Sequence, residues 1–387
     1  VSVTVRLPRP DGSLEERRLA EPARWARPAR PLTSRVAFAA AHVVADPLGD
    51  NTPGAPAAVD WESTLAFRRH LWSYGLGVAE AMDTAQRGMG LNWATTRELI
   101  DRSAAAAREA GGRIAAGAGT DHAPPDLDSL DDVATAYGEQ IEVVEASGAQ
   151  VILMASRQLA RLARGPEDYA KVYDRLLGQV SRPVILHWLG PMFDPALAGY
   201  WGSPEVPAAT AAFLELIGRH AARVDGVKVS LLDAAHERGL RAALPAGVRL
   251  YTGDDFNYPE LIRGDGTHHS DALLGVFAAI APAASAALQA LDEGDLARYD
   301  AALAPTLPLA RHVFTAPTWY YKTGIAFLAW LCGHQPGFTM VGGLQSARSV
   351  LHLAELARLA DDARLLPDPD LAATRLRAFL DVAGVPG

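Results

Sequence analysis

Residues 224–233 read VDGVKVSLLD, an apolar run with Lys228 at its centre. An ammonium inside a packed strand must be paired or give up its proton, because its charge is costly to remove from water. Of the 36 basic residues in the chain only three are lysines, Lys171, Lys228 and Lys322, and the rest are arginine. Lys228 is therefore not a generic basic residue. Desolvation lowers a lysine from its reference value of ~10.4 by up to a few units. The freed lone pair can attack a carbonyl and form a Schiff base. The resulting iminium is an electron sink that eases cleavage or formation of the neighbouring C–C bond. The competing role for Lys228 is structural, an ion pair with a carboxylate of its own fold.

Such a lysine needs elements to hold it, and the sequence supplies an alternating series. Apolar runs occur at 35–45, 76–83, 112–119, 149–156, 182–190, 225–232 and 248–255, with a weaker eighth at 270–278. Continuous apolar runs suit parallel strands covered on both faces. Between them lie helical periodicities. Tyr169, Val172, Tyr173, Leu176, Leu177 and Val180 share one face, as do Phe213, Leu216, Ile217, His220, Ala221 and Val224. Asn92 is a candidate N-cap for a further helix that Gly111-Gly112 would end. Seven or eight β-then-α units predict an α/β fold, a (β/α)8 TIM barrel spanning 35–290. A doubly wound sheet is disfavoured because no Gly-rich phosphate loop follows the first strand. Residues 1–34 read as a hairpin turning at Pro10-Asp11-Gly12 plus a Pro/Arg-rich connector. Residues 291–387 read as helices packed on the barrel, within helical runs near 280–303, 318–332, 346–362 and 369–383.

Active sites of such barrels lie at the carboxyl ends of the strands. The polar residues expected there include Asp83, Thr84, Asp121, His122, His187, Lys228, Gly253, Asp254 and Asp255. His187 could do acid–base work near neutral pH. The remaining residues are candidates for binding substrate, and the aspartates suit hydrogen bonds from hydroxyl groups. The same residue types permit a divalent-metal hydrolase or isomerase using His42, Asp121, His122, His187, Asp254, Asp255, His268 and His269. Against that, His42 stands alone, without a His-x-His pair, and His268-His269 reads as a loop. A non-catalytic sugar-binding barrel is the third alternative.

Lys228 within GVKVS resembles the Schiff-base lysine on strand six of the dihydrodipicolinate synthase and N-acetylneuraminate lyase superfamily, as a divergent branch of it. AMDTAQRG (81–88), IAAGAGTD (114–121), PVILHWLGP (183–191) and LYTGDD (250–255) occupy successive stations of that family. PTWYYKTGIAFLAWLCG (317–333) resembles its C-terminal helix, with Lys322 inside it. The resemblance implies a class I aldolase or lyase that acts on a small carbonyl compound through a lysine imine. It also implies a homo-oligomer, a dimer or tetramer, and no cofactor or metal is expected. Two departures are notable. His187 stands where the family has its catalytic tyrosine, and Asp83-Thr84 where it has paired threonines that receive a carboxylate. An ionised Asp83 repels a substrate carboxylate, so a polyhydroxylated ketone or keto-sugar derivative is expected in place of pyruvate. Lys322, within an apolar helical stretch, is expected to pack or form an ion pair.

Composition agrees with a soluble enzyme. The net charge of −9 argues against a nucleic-acid partner. A single cysteine, Cys332, excludes an intrachain disulfide and fits a reducing compartment. No apolar run reaches the ~18 residues of a membrane span, and the amino end lacks a signal-peptide core, so a cytoplasmic location is expected.

Overall fold

All eight apolar runs form strands in the computed structural model, which describes residues 3–385. Two short strands precede them. β1 (Thr4–Pro8) and β2 (Leu14–Arg18) pair antiparallel as the expected hairpin, with Gly12 at φ 82° in its turn. The barrel strands are β3 (Ala37–Ala40), β4 (Gly77–Glu80), β5 (Ile114–Ala118), β6 (Gln150–Leu153), β7 (Val184–Leu189), β8 (Val224–Ser230), β9 (Arg249–Thr252) and β10 (Asp271–Leu274). They are parallel and close in the order β3 to β10, with β10 pairing back onto β3. This is a (β/α)8 TIM barrel with an N-terminal hairpin and a C-terminal helical segment.

The side-chain alternation of a strand decides what faces the barrel interior. Val227 and Val229 pack outward into the core shared with the helices. Lys228 between them must then point inward. In the β7–β8 register His187 lies opposite Lys228, which puts both side chains on the inner face. The interior below them is filled by Phe38, Ala79, Ala115, Ile152, Ile185 and Tyr251.

The helices follow the sequence signals with two corrections. The helix Trp93–Ala110 is capped by Asn92, which accepts from the Thr95 N–H, and ends at Gly111 with φ 63°. The helix carrying Phe213 stops at Arg219, and Val224 already belongs to β8. His220, at φ −123° and ψ 24°, leaves helical geometry, so the last apolar residues of that periodicity serve a turn and a strand. The run expected over 280–303 is two helices, Phe277–Asp292 and Leu296–Leu303. Gly294 at φ 73° breaks it, and Asp295 caps the second helix through the Arg298 N–H. A further helix, Leu307–Val313, precedes the apolar helix Tyr321–Leu331. One hydrophobic cluster joins the hairpin, β3, β10 and the C-terminal helices, including Leu7, Leu274, Ile325 and Leu356. No helix among the described residues is long and apolar enough to cross a membrane.

The carboxyl ends of β3 and β4 are fixed by a fully buried ion pair. Arg68, on the helix Trp61–Ser73, meets Glu80 at the end of β4 through two bonds of 2.8 Å. The same guanidinium donates to the His42 carbonyl, while Glu80 accepts from the Ala81 N–H. Breaking a buried pair strands a charge, whereas replacing both partners by apolar groups of similar volume does not. Glu80→Ala is therefore expected to lose about 3–5 kcal/mol in urea unfolding. The double variant Arg68→Met/Glu80→Leu should recover most of that loss, and equal destabilisation of the two variants would refute the account.

Candidate active site

Lys228 is 7 % exposed. Among the described residues its Nζ makes no hydrogen bond, and no carboxylate oxygen lies within 4.0 Å of it. A lysine kept only to satisfy a charge would be ion-paired, and this one is not. Burial pushes the amine below its ordinary value, opposed by the negative charges of Asp83 and then Asp255. Space for the side chain depends on Gly253. A Cβ there would sit 2.2 Å from Ser230 Oγ and 3.0 Å from Lys228 Cε. Gly253 thus acts by what it lacks.

His187 is fully buried beside the lysine, with Nε2 3.3 Å from Ser230 Oγ and Nδ1 without a partner among the described residues. Burial, and then the nearby Lys228 charge, hold the imidazole well below its usual range, so it is neutral. Asp255 has the opposite displacement. Burial pushes its carboxyl up to about 7, although the Val276 N–H bonds it at 2.9 Å and Lys228 favours its charge. A carboxyl near 7 beside a deprotonating amine can exchange protons at neutral pH.

His187 and Asp83 form part of the wall of a cavity of about 640 Å³ at the carboxyl ends of the strands, together with Arg87, Asp121, Arg157 and Asp194. That volume is within the ~300–1,000 Å³ of small-molecule sites. Asp83 makes no side-chain hydrogen bond or ion pair with the described residues. Asp121, expected to receive substrate hydroxyls, is held by both Arg87 Nε at 3.0 Å and Nη2 at 2.6 Å. Its burial raises its pKa, but Arg87 outweighs that and lowers it. Thr84 turns away from the cavity and its hydroxyl meets Tyr321 Oη at 2.7 Å. His122 lies between Glu139 and Gln140, outside the cavity wall. Asp254 folds back on its own loop, accepting from the Phe256 and Asn257 N–H groups and from Asn257 Nδ2. Of the expected residues, Lys228, His187, Asp83, Gly253 and Asp255 come together, and Asp254, Thr84 and His122 serve their neighbours.

The histidines of the metal alternative do not converge. His42 is buried and bonded to Gln335 at 2.8 Å. His268 and His269 precede β10 and so lie at the amino end of the barrel, across from the lysine. Among the described residues no three His, Cys, Asp or Glu side chains form a group that could hold a metal ion.

The C-terminal helix contributes what the strands alone did not reveal. Lys322 is 2 % exposed, and of the two expected roles it packs: among the described residues no carboxylate lies within 4.0 Å, Nζ contacts Met89 Sδ at 3.1 Å, and the ammonium lies 5.4 Å from the Tyr321 ring centroid. Burial lowers it to about 8, opposed by Asp83 and assisted by Arg157. Tyr321 is buried against Phe314, with rings 4.4 Å apart. Arg87 was also missed. The side chains it bonds, Asp121 and Gln140, lie 34 and 53 residues away, a separation at which no local pattern signals a pair.

Residues 5–385 match the family described as protein of unknown function (DUF993). The chain belongs to that family. No curated protein matches it. Its fold is that of dihydrodipicolinate synthase structures. YagE of E. coli K12, a prophage protein of the dihydrodipicolinic acid synthase family in complex with pyruvate, aligns with a TM-score of 0.66 at 15 % identity, over 86 % of this chain and 99 % of that one. The 4-hydroxy-tetrahydrodipicolinate synthase of Methylacidiphilum fumariolicum SolV has a TM-score of 0.66 at 13 % identity, covering 90 % and 98 %. The dihydrodipicolinate synthase of Oceanobacillus iheyensis has 0.61 at 14 %, covering 84 % and 96 %.

The two buried amines should be measurable by competitive acetylation with peptide mapping across pH 6–11. Lys322 is expected to titrate near 8. Lys228 is expected below the ordinary ~10.4, and Asp255→Asn should lower it further by removing an opposing negative charge. Ordinary lysine behaviour at both positions, or an upward move in Asp255→Asn, would contradict the electrostatics.

Proposed function

We propose that the protein is a Schiff-base-forming lyase or aldolase acting on a small carbonyl compound, with Lys228 as the nucleophile. The observation that carries this reading is a buried amine on the inner face of β8 without a counter-ion. The likeness of the fold to dihydrodipicolinate synthase structures supports it, including one that binds pyruvate. Neutral Lys228 attacks the substrate carbonyl carbon, and a proton moves to the oxygen, giving a carbinolamine. The Asp255 carboxyl donates the proton with which water departs, and its carboxylate then faces the iminium. The β-hydroxyl of the substrate gives its proton to that carboxylate, the neighbouring C–C bond breaks with its electron pair entering the iminium, and the hydroxyl carbon leaves as a carbonyl; the enamine then takes a proton, and hydrolysis releases the second product. Asp83 favours hydroxylated substrates over carboxylated ones, because its unpaired carboxylate accepts hydrogen bonds and repels anions. A polyhydroxylated ketone or keto-sugar derivative is the substrate class that fits.

Borohydride reduction in the presence of a panel of keto acids and keto-sugars tests the reading. The expected result is a single adduct mapped to Lys228, absent in Lys228→Met and Lys228→Arg, with keto-sugars trapped in preference to pyruvate. Failure to trap any member, or adducts that survive Lys228→Met, would overturn it.

A further inference from the structure

Ser230 follows Lys228 by two residues on β8, so its side chain also points into the barrel. It is 2 % exposed, and among the described residues its hydroxyl has one partner, His187 Nε2 at 3.3 Å. The roles in that bond follow from the other ring nitrogen. A neutral imidazole carries one proton, on Nδ1 or on Nε2. Nδ1 is buried without a partner among the described residues, so a proton there would be a donor with no acceptor. As with backbone groups, a buried N–H is left unpaired less often than an acceptor is. On Nε2 the proton meets the serine oxygen. His187 therefore donates and Ser230 accepts, which leaves the serine's own O–H uncommitted. Gly253 shows where that hydroxyl sits. The position of a Cβ on Gly253 is 2.2 Å from Ser230 Oγ and 3.0 Å from Lys228 Cε, the carbon that bears the amine. The hydroxyl and the end of the lysine thus flank one point, and Gly253 has no side chain there to accept the serine's proton. His187 in turn lines the cavity, so its bond to Ser230 lies at the inner wall.

We propose that Ser230 is a further catalytic residue, whose hydroxyl donates to the carbonyl oxygen of a ketone under attack by Lys228. This role rests on the lysine-imine reading. As Nζ bonds to the carbonyl carbon, the π pair of the C=O moves onto its oxygen. A donor fixed beside that oxygen stabilises the developing charge, and does so more strongly in a dry site than in water. The ammonium formed on Nζ gives a proton to the oxygen and completes the carbinolamine, while Ser230 keeps its own proton. Asp255 then supplies the proton with which water departs, as above. His187 acts through Ser230: by donating to the serine oxygen it turns the O–H away from the ring, and is a positioning residue.

Imine formation expels the ketone oxygen as water, so each cycle of addition and hydrolysis exchanges that oxygen with solvent. Loss of ¹⁸O from labelled dihydroxyacetone, followed by mass spectrometry with the full chain, reads this step. The wild type is expected to exceed Lys228→Met. Ser230→Ala should lose about 100-fold of the Lys228-dependent rate at saturating ketone, the effect of one oxyanion donor. The titration midpoint of Lys228 in competitive acetylation should not move. His187→Leu should fall similarly, and His187→Gln, whose amide N–H replaces the ring donor, should recover most of the loss. Exchange in Ser230→Ala at the wild-type rate, or a displaced Lys228 midpoint that accounts for its loss, would overturn the role of Ser230 and leave the imine reading standing. Exchange no faster in the wild type than in Lys228→Met would sink both. The tautomer is tested without any ketone, by ¹⁵N NMR of histidine-labelled protein, with the His187 signals assigned by their absence in His187→Gln. A protonated Nε2 and a bare Nδ1 are expected, and the reverse would overturn the proposal whatever the exchange shows.

Discussion

The burial of one amine without a counter-ion constrains everything around the carboxyl end of this barrel. Lys228 occupies an inward position of β8, so its neighbours must leave it room and limit its charge. Gly253 gives the room, since any Cβ would strike Ser230 and the lysine stem. Gly226, two residues earlier on the same face, does the same for Tyr251, whose ring would lie 2.6 Å from a Cβ there. The tyrosine in turn closes the barrel beneath the lysine, with its hydroxyl bonded to Asp225 at 2.6 Å. A dry floor is what keeps the amine's pKa depressed.

The charges at the mouth divide into closed and open sets. Arg87 with Asp121, and Arg157 with Asp194, are paired at contact distance. Lys228, Lys322 and Asp83 are not. Closed pairs shape the wall and hold loops from β4, β5, β6 and β7 together. Open groups carry an electrostatic cost that no ion pair at contact distance offsets. The buried Arg68–Glu80 pair belongs to the first set, and it anchors the strand end from which Asp83 projects.

The periodicity of the sequence was enough for the barrel, because eight apolar runs separated by amphipathic helices leave few other closures. Its errors fell where one apolar residue can serve either element, as at Val224, and where a single left-handed residue, Gly294, divides a helical pattern. The importance of Lys228 was legible from its residue type inside a strand. The surroundings of Lys322 were not, because its contact Met89 lies 233 residues away in the sequence. Asp254 and Asp255 were equivalent as letters. Strand alternation and the Val276 N–H separate them, sending one into its own loop and the other towards the lysine.

That separation bears on where protons move. His187 faces Lys228 across β7 and β8, in the place where an acid–base group is wanted, yet complete burial keeps the ring neutral through the physiological range. A ring so hard to protonate is a poor general acid, and its orphaned Nδ1 marks a site with no carboxylate to stabilise an imidazolium. Asp255 has the complementary property, since the same dry surroundings raise a carboxyl to about 7. Burial therefore keeps the histidine neutral and raises the aspartate by one physical cause acting on opposite charge types. In the proposed imine chemistry His187 orients Ser230 and fills space beside the amine, and the proton that leaves with water comes from Asp255.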